Sequence, residues 1–175
     1  MKRIKLTLIT LASLCSFSLG AQDFDISSLP AEARAILMRN AVGTKAMDFT
    51  YVSQTGTIHE MKDFKADYTL LYFFDPDCYT CVATIDFLSG KPEIAPLLSS
   101  GKLKVLAIDT NTSFTSAWRL KPPKGWTLGC DTSGDIRDKM LYLLNNSPSM
   151  FLLDKDKNVL IKDATVEQLQ AFEYK

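Results

Sequence analysis

Histidine and cysteine are scarce in this chain: one His and four Cys among 175 residues. With His59 as the sole imidazole and no serine or cysteine motif beside it, a hydrolase triad has no support, and His59 is read as a solvated hairpin residue. The same scarcity argues against structural zinc. Four ligands would require Cys130 and His59 to join Cys78 and Cys81, and neither belongs to a second Cys-x-x-C pair. Charge of one sign is not in excess, with 20 basic and 20 acidic residues, so the basic footprint of a nucleic-acid binder is missing. No charge-free apolar run has the ~20 residues of a mature membrane-crossing helix. There is no internal repeat, no low-complexity tract and no linker, which leaves one ordinary domain and a short extension.

What is present begins with a layout of three regions. "MKRIK" is basic, "LTLITLASLCSFSL" is apolar and "GAQ" is small, the order of a secretory signal peptide over residues 1–21, cut near Gly20 to Gln22. Losing Lys2, Arg3 and Lys5 from 20 basic residues leaves 17 against 20 acidic ones, a mildly acidic mature chain with no membrane span. The expected location is then outside the inner membrane, periplasmic or secreted, where thiols form disulfides. Acylation of Cys15 is the second reading, disfavoured by the bulky Leu14 in front of it.

Residues 22–44 read as an added helical segment. Ser28 is its expected cap, Pro30 falls in its first turn, Ile36, Leu37 and Val42 share a face, and Gly43 ends it. The domain proper is expected over 45–175. A hairpin around Thr55-Gly56 leads to "YTLLYFF", the continuous apolar run of a strand buried on both faces. The two cysteines follow, and then a helix ending near Ser89-Gly90. "KLKVLAID" is a second buried strand. A short helix is expected over 112–120, another helix in "SGDIRDKMLYLL", two short strands around the Asp154–Asn158 turn, and a terminal helix in "TVEQLQAFEY". This alternation predicts an α/β sandwich with a mixed central sheet flanked by helices.

"LLYFFDPDCYTCVATIDFL" raises the functional question: are Cys78 and Cys81 a redox pair, half of a metal site or a staple? Positions i and i+3 of a helix share a side. A helix beginning at Cys78 puts that thiol at the N-terminus, where unpaired N–H groups and the helix dipole favour a thiolate. Cys81 lies one turn in, within reach of a mixed disulfide on Cys78. Thiol–disulfide exchange needs those two parts, whereas a staple closing so short a loop constrains little of the unfolded chain.

The stretch "YTLLYFFDPDCYTCVATIDFL" resembles the strand–Cys-x-x-C–helix of thioredoxin-like proteins, and especially the secreted TlpA-like thiol–disulfide oxidoreductases of the kind found in Bacteroides-like bacteria. The likeness covers residues 45–175: "AMDFTYVSQTGTIHEMKDF" is similar to that group's opening, "KLKVLAIDTN" to its next strand, "PPKGWTLGCD" to its Trp-containing loop and "NSPSMFLLDKDKNVL" to its cis-proline segment. The resemblance implies that Cys78 and Cys81 are catalytic. It also implies that Ser147 and a cis Pro148 face them and pair with an extended substrate peptide. It further implies no cofactor and no metal, and as partners cysteine-bearing exported proteins or a redox partner protein.

Departures from the family pattern set the second reading. Asp77 stands where thioredoxin has Trp, Tyr79 and Thr80 replace Gly-Pro, and Tyr72 and Thr84 occupy the places of the usual acid–base assistants. Asp77, Tyr79 and Thr80 are therefore candidate modulators. Asp77 is read as capping the helix, and Cys78 is expected not to be extremely acidic. "DPDCYTC" also lacks the P-x-x-x-T-x-x-C form of peroxiredoxins, which share the fold. Cys130, the odd thiol, is read as buried and inert, with a redox or mixed-disulfide site as the alternative, and Trp118 and Trp126 as packing residues. The first reading is an oxidoreductase; the alternative is a thioredoxin-fold binding module with a static or vestigial disulfide.

Overall fold

The run "YTLLYFF" forms β3 (Tyr68–Phe74), with six of its seven residues buried. The structure, a computed structural model, describes residues 25–112 and 120–175, so the signal peptide expected over 1–21 with Cys15, and nearly all of the helix expected over 112–120 with Trp118, lie outside the described residues. β3 is apolar throughout because both its faces are covered. It runs parallel to β4 (Leu103–Asp109) on one side and antiparallel to β6 (Ser149–Leu153) on the other. The remaining strands are β1 (Thr50–Ser53), β2 (Ile58–Glu60), β5 (Trp126–Cys130) and β7 (Val159–Ile161). They complete a mixed seven-stranded sheet in the order β2-β1-β5-β4-β3-β6-β7. This is the expected α/β sandwich, and its fold is thioredoxin-like.

Side chains alternate across the sheet, and the core divides accordingly. Leu70, Tyr72 and Phe74 face Ile85 and Leu88 of helix α2 (Tyr79–Ser89). Leu71 and Phe73 face Phe49, Tyr142 and Phe151 on the other side, where Phe49 and Tyr142 meet edge to face with centroids 5.7 Å apart. Burying each such side chain contributes about 1.5–3 kcal/mol. The terminal helix α5 (Val166–Ala171) starts with a capping box, in which the Thr165 side chain accepts from Gln168 N–H while the Gln168 side chain accepts from Thr165 N–H.

Four local expectations need correction. Ser28 is no helix cap: it ends a single 3-10 turn over Ile26–Ser28 that Asp25 caps. Helix α1 is only Ala31–Leu37, and none of its residues is buried. Val42, expected to share a helix face with Ile36 and Leu37, lies beyond the end of α1, and Leu37 and Val42 are 39% and 64% exposed. The Trp-containing loop is in fact β5, paired parallel to β4 from Val105↔Trp126 to Asp109↔Cys130. A further helix, α3 (Ala95–Ser100), was not anticipated; Pro96 sits in its first turn and Gly101, at φ 80°, ends it. The helix expected within "SGDIRDKMLYLL" is a single turn, α4 (Asp135–Asp138). The chain reverses at Met140, where φ is 49°, and Arg39 holds the reversal by donating to the carbonyls of Lys139 and Met140 at 2.6 and 2.7 Å.

Candidate functional site

β3 ends at Phe74, and Asp75 begins the turn that carries the two cysteines into α2. Asp75 organises this turn with both main chain and side chain. Its carbonyl accepts Cys78 N–H at 3.1 Å, and its carboxylate accepts Asp77 N–H at 2.9 Å and the Asn111 amide at 3.2 Å. The N-cap position falls on Cys78 rather than on Asp77, one residue later than the capping reading requires. Asp75, absent from the sequence-based candidates, accepts a backbone N–H of this turn with its carboxylate. A Pro-interrupted Asp-x-Asp is a legible turn signal, though not one that tells which Asp does the bonding.

The two thiols have opposite environments. Cys78 is partly exposed, while Cys81, one turn into α2, is fully buried, and both are free thiols, as is Cys130. The Thr80 hydroxyl lies 3.0 Å from Cys78 Sγ. That hydroxyl first, then the side chain and backbone N–H of Cys81, hold the Cys78 thiol down at about 7. Burial pushes the Cys81 thiol up, opposed by the Ser147 hydroxyl 3.1 Å from its sulfur. A thiolate at a helix mouth beside a protonated neighbour is an arrangement suited to attack on a disulfide. The value near 7 agrees with the expectation that Cys78 is not extremely acidic.

Ser147 and Pro148 are joined by a cis peptide bond, and Ser147 touches the buried thiol. The structure thus brings together Cys78, Cys81, Thr80, Ser147 and Pro148. Tyr79, by contrast, projects from the first turn of α2 and is 85% exposed. The places of the usual acid–base assistants are occupied otherwise. The Tyr72 hydroxyl donates to the Cys81 carbonyl at 2.6 Å, and burial holds this phenol far above its ordinary range. Thr84 donates back to the Thr80 carbonyl at 2.7 Å, within the helix. Beneath them Trp126 packs edge-on against Tyr72, centroids 5.2 Å apart, the packing role expected of it.

Cys130 lies apart from the pair. It is buried at the end of β5, its Sγ donates to the Asn111 carbonyl at 3.1 Å, and burial first, then the Asp109 and Asp131 carboxylates, push its thiol up to about 11. Such a thiol stays protonated and unreactive near neutral pH. His59 is exposed on β2 and stacks on Tyr51, ring centroids 5.4 Å apart. Among the described residues no group of three or more His, Cys, Asp or Glu is arranged to hold a metal ion, and no helix is long and apolar enough to cross a membrane.

Comparison with known proteins places this geometry among relatives. A C-terminal domain of an uncharacterised Bacteroides fragilis protein is 39% identical, covering 75% of this chain and 95% of its own, with a TM-score of 0.70. A thioredoxin-like protein from Bacteroides caccae is 36% identical with a TM-score of 0.72, over 79% of this chain and 51% of that larger one. The thiol-disulfide oxidoreductase ResA of Bacillus thuringiensis is 27% identical over 140 residues, 75% of this chain and 76% of that protein. The AhpC/TSA family model matches residues 42–161, which spans β1 to β7 and both cysteines of the turn. On that match, and with a thioredoxin-like fold, the chain belongs to the AhpC/TSA family.

Proposed function

We propose that the chain is a thiol–disulfide oxidoreductase in which Cys78 is the nucleophile and Cys81 the resolving thiol. The observation that carries this reading is the asymmetry of the pair: a partly exposed sulfur held near 7 at the mouth of α2, and a buried one behind it against Ser147. In the reducing direction the Cys78 thiolate attacks one sulfur of a substrate disulfide. A Cys78–substrate S–S bond forms, the substrate S–S bond breaks, and the first substrate thiolate leaves and takes up a proton. Cys81 then loses its proton, which passes to solvent by way of the Ser147 hydroxyl, and attacks Cys78 Sγ. The second substrate thiolate departs and is protonated in turn. The substrate gains two electrons and two protons, and the protein is left with a Cys78–Cys81 disulfide. The reverse sequence oxidises a dithiol substrate by the same bonds.

Substrates would be polypeptides whose extended backbone pairs beside Ser147 and Pro148. The basic–apolar–small order of residues 1–21 supports export, with cysteine-bearing exported proteins or a redox partner protein as substrates. The occupation of both acid–base positions by Tyr72 and Thr84 favours the second reading, a binding module whose disulfide does not turn over. Insulin reduction separates the two. Cys78→Ser is expected to abolish turnover, and Cys81→Ser to accumulate a mixed disulfide with substrate. A wild-type rate equal to that of Cys78→Ser would leave the binding module standing.

A further inference from the structure

A cavity of about 440 Å³ opens at the C-terminal end of the sheet, between Phe73 and Phe74 of β3 and the connection from α4 to β6, and Ser147 is part of its wall. The residue that touches the buried thiol therefore also borders this space. Its walls are polar and apolar in about equal measure, with Phe73, Met140 and Tyr142 on the apolar side and Asn145 and Asn146 on the polar one, and no lining residue is acidic. One lining residue carries full charge: Arg137, the third residue of α4. Its guanidinium donates to the hydroxyl of the buried Thr110 at 2.8 Å, which fixes the group's direction. No carboxylate among the described residues forms an ion pair with Arg137, and the nearby Asp135 is engaged by Lys139 at 2.7 Å. The rim is held by Arg39, whose two bonds to the Lys139 and Met140 carbonyls set the position of Met140.

We propose that this cavity is a side-chain subsite for the substrate polypeptide, where Arg137 receives a carboxylate close to the substrate's reactive cysteine. The inference rests on the exchange reading above and names the class of substrate that reading leaves open: polypeptides with an acidic residue within about two positions of the cysteine. An oriented cation beside a partly apolar wall is attracted to a carboxylate more strongly than one in bulk water, and its planar fork suits two parallel hydrogen bonds. Continuity with Ser147 makes it available to a strand lying there, since each residue of an extended chain advances only ~3.3 Å.

The test uses the full chain and a series of short peptides, each with one cysteine in mixed disulfide with a chromophoric thiol. Members carry Glu, Gln or Lys at one position within two residues of the cysteine. Wild type is expected to exchange with a Glu peptide faster than with its Gln partner at one position at least. The gain in kcat/KM should be roughly three- to tenfold, the scale of a partly exposed charge-assisted pair, and should shrink as salt is raised. Arg137→Glu is expected to invert the order so that the Lys peptide leads. If wild type exchanges with all peptides at one rate, or Arg137→Glu changes every rate by one factor, the subsite is overturned while the exchange reading stands. If no peptide exchanges faster than with Cys78→Ser, the exchange reading falls and takes the subsite with it. The wild-type series needs no variant to fold, so the inference remains decidable if Arg137→Glu does not.

Discussion

At the scale of single residues, Thr80 sets the reactivity of Cys78 more than any other neighbour, because its hydroxyl donates to the sulfur at 3.0 Å when that sulfur is charged. The thiolate is the reactive form, so alkylation by iodoacetamide should be slow at pH 5, rise through a midpoint near 7 and level off above 8. Thr80→Val keeps the shape and removes the donor. Its midpoint is expected to move upward, toward the ordinary thiol range near about 8.5, and the reaction at pH 7 to slow severalfold. A midpoint that stays in place would mean that the Cys81 side chain and backbone N–H hold the thiol down without Thr80. The sequence made Cys78 and Cys81 legible because their spacing and junction are local, whereas the cis Pro148 was legible only through the family resemblance. It concealed Asp75 and Arg137, because the side chains they meet, Asn111 and Thr110, lie 36 and 27 residues away.

At the scale of elements, the strands that read correctly are those with covered faces and local bounds. "YTLLYFF" and "KLKVLAID" coincide with β3 and β4 almost residue for residue because both are buried on either side. β5 escaped because "WTLGC" is short, follows Pro122, Pro123 and Gly125, and contains Gly129, all of which read as loop. Gly129 is there for a packing reason. A Cβ at that position would stand 2.4 Å from Tyr51 Cδ2 and 3.0 Å from Ile108 Cδ1, so Tyr51 of β1 lies directly on the bare backbone of β5. Gly129→Ala forces Tyr51 out of a buried position and is expected to destabilise the protein by about 1–3 kcal/mol, the usual range for overpacking. Urea denaturation of the purified variant measures it, and an unchanged midpoint would contradict the close approach. The truncation of α4 was likewise invisible, since what stops it, Arg39, arrives from nearly 100 residues earlier in the chain.

Taken whole, the molecule does not treat residues 38–47 as an appendage. The Asn40 side chain is buried, donating to the Leu141 carbonyl at 2.8 Å and accepting Met47 N–H at 2.7 Å, from a backbone at φ 54°. Asn40→Ala loses both bonds and puts a Cβ-bearing residue without a local hydrogen-bonding side chain in the left-handed region. A loss of about 2–4 kcal/mol follows from those two costs, to be read from the unfolding midpoint. A loss below about 0.5 kcal/mol would mean that this segment is not integral to the domain. The boundary expected near residue 44 was drawn where the family resemblance begins. What composition could not reveal is that the chain on both sides of it is tied down by one asparagine.

The same segment goes on to do something for the sheet. Beyond Gly43 it pairs with the outer side of β7: Gly43 N–H donates to the Val159 carbonyl, Val159 N–H to Thr44, and Ala46 N–H to Lys157. A sheet this wide has two rims, each a template on which an unfolded neighbour could grow a strand. Here one rim is covered from Lys157 to Val159 by residues 43–46, and the other, β2, is three residues long. Among the described residues, the two margins thus offer only short templates for recruiting another chain into a fibre.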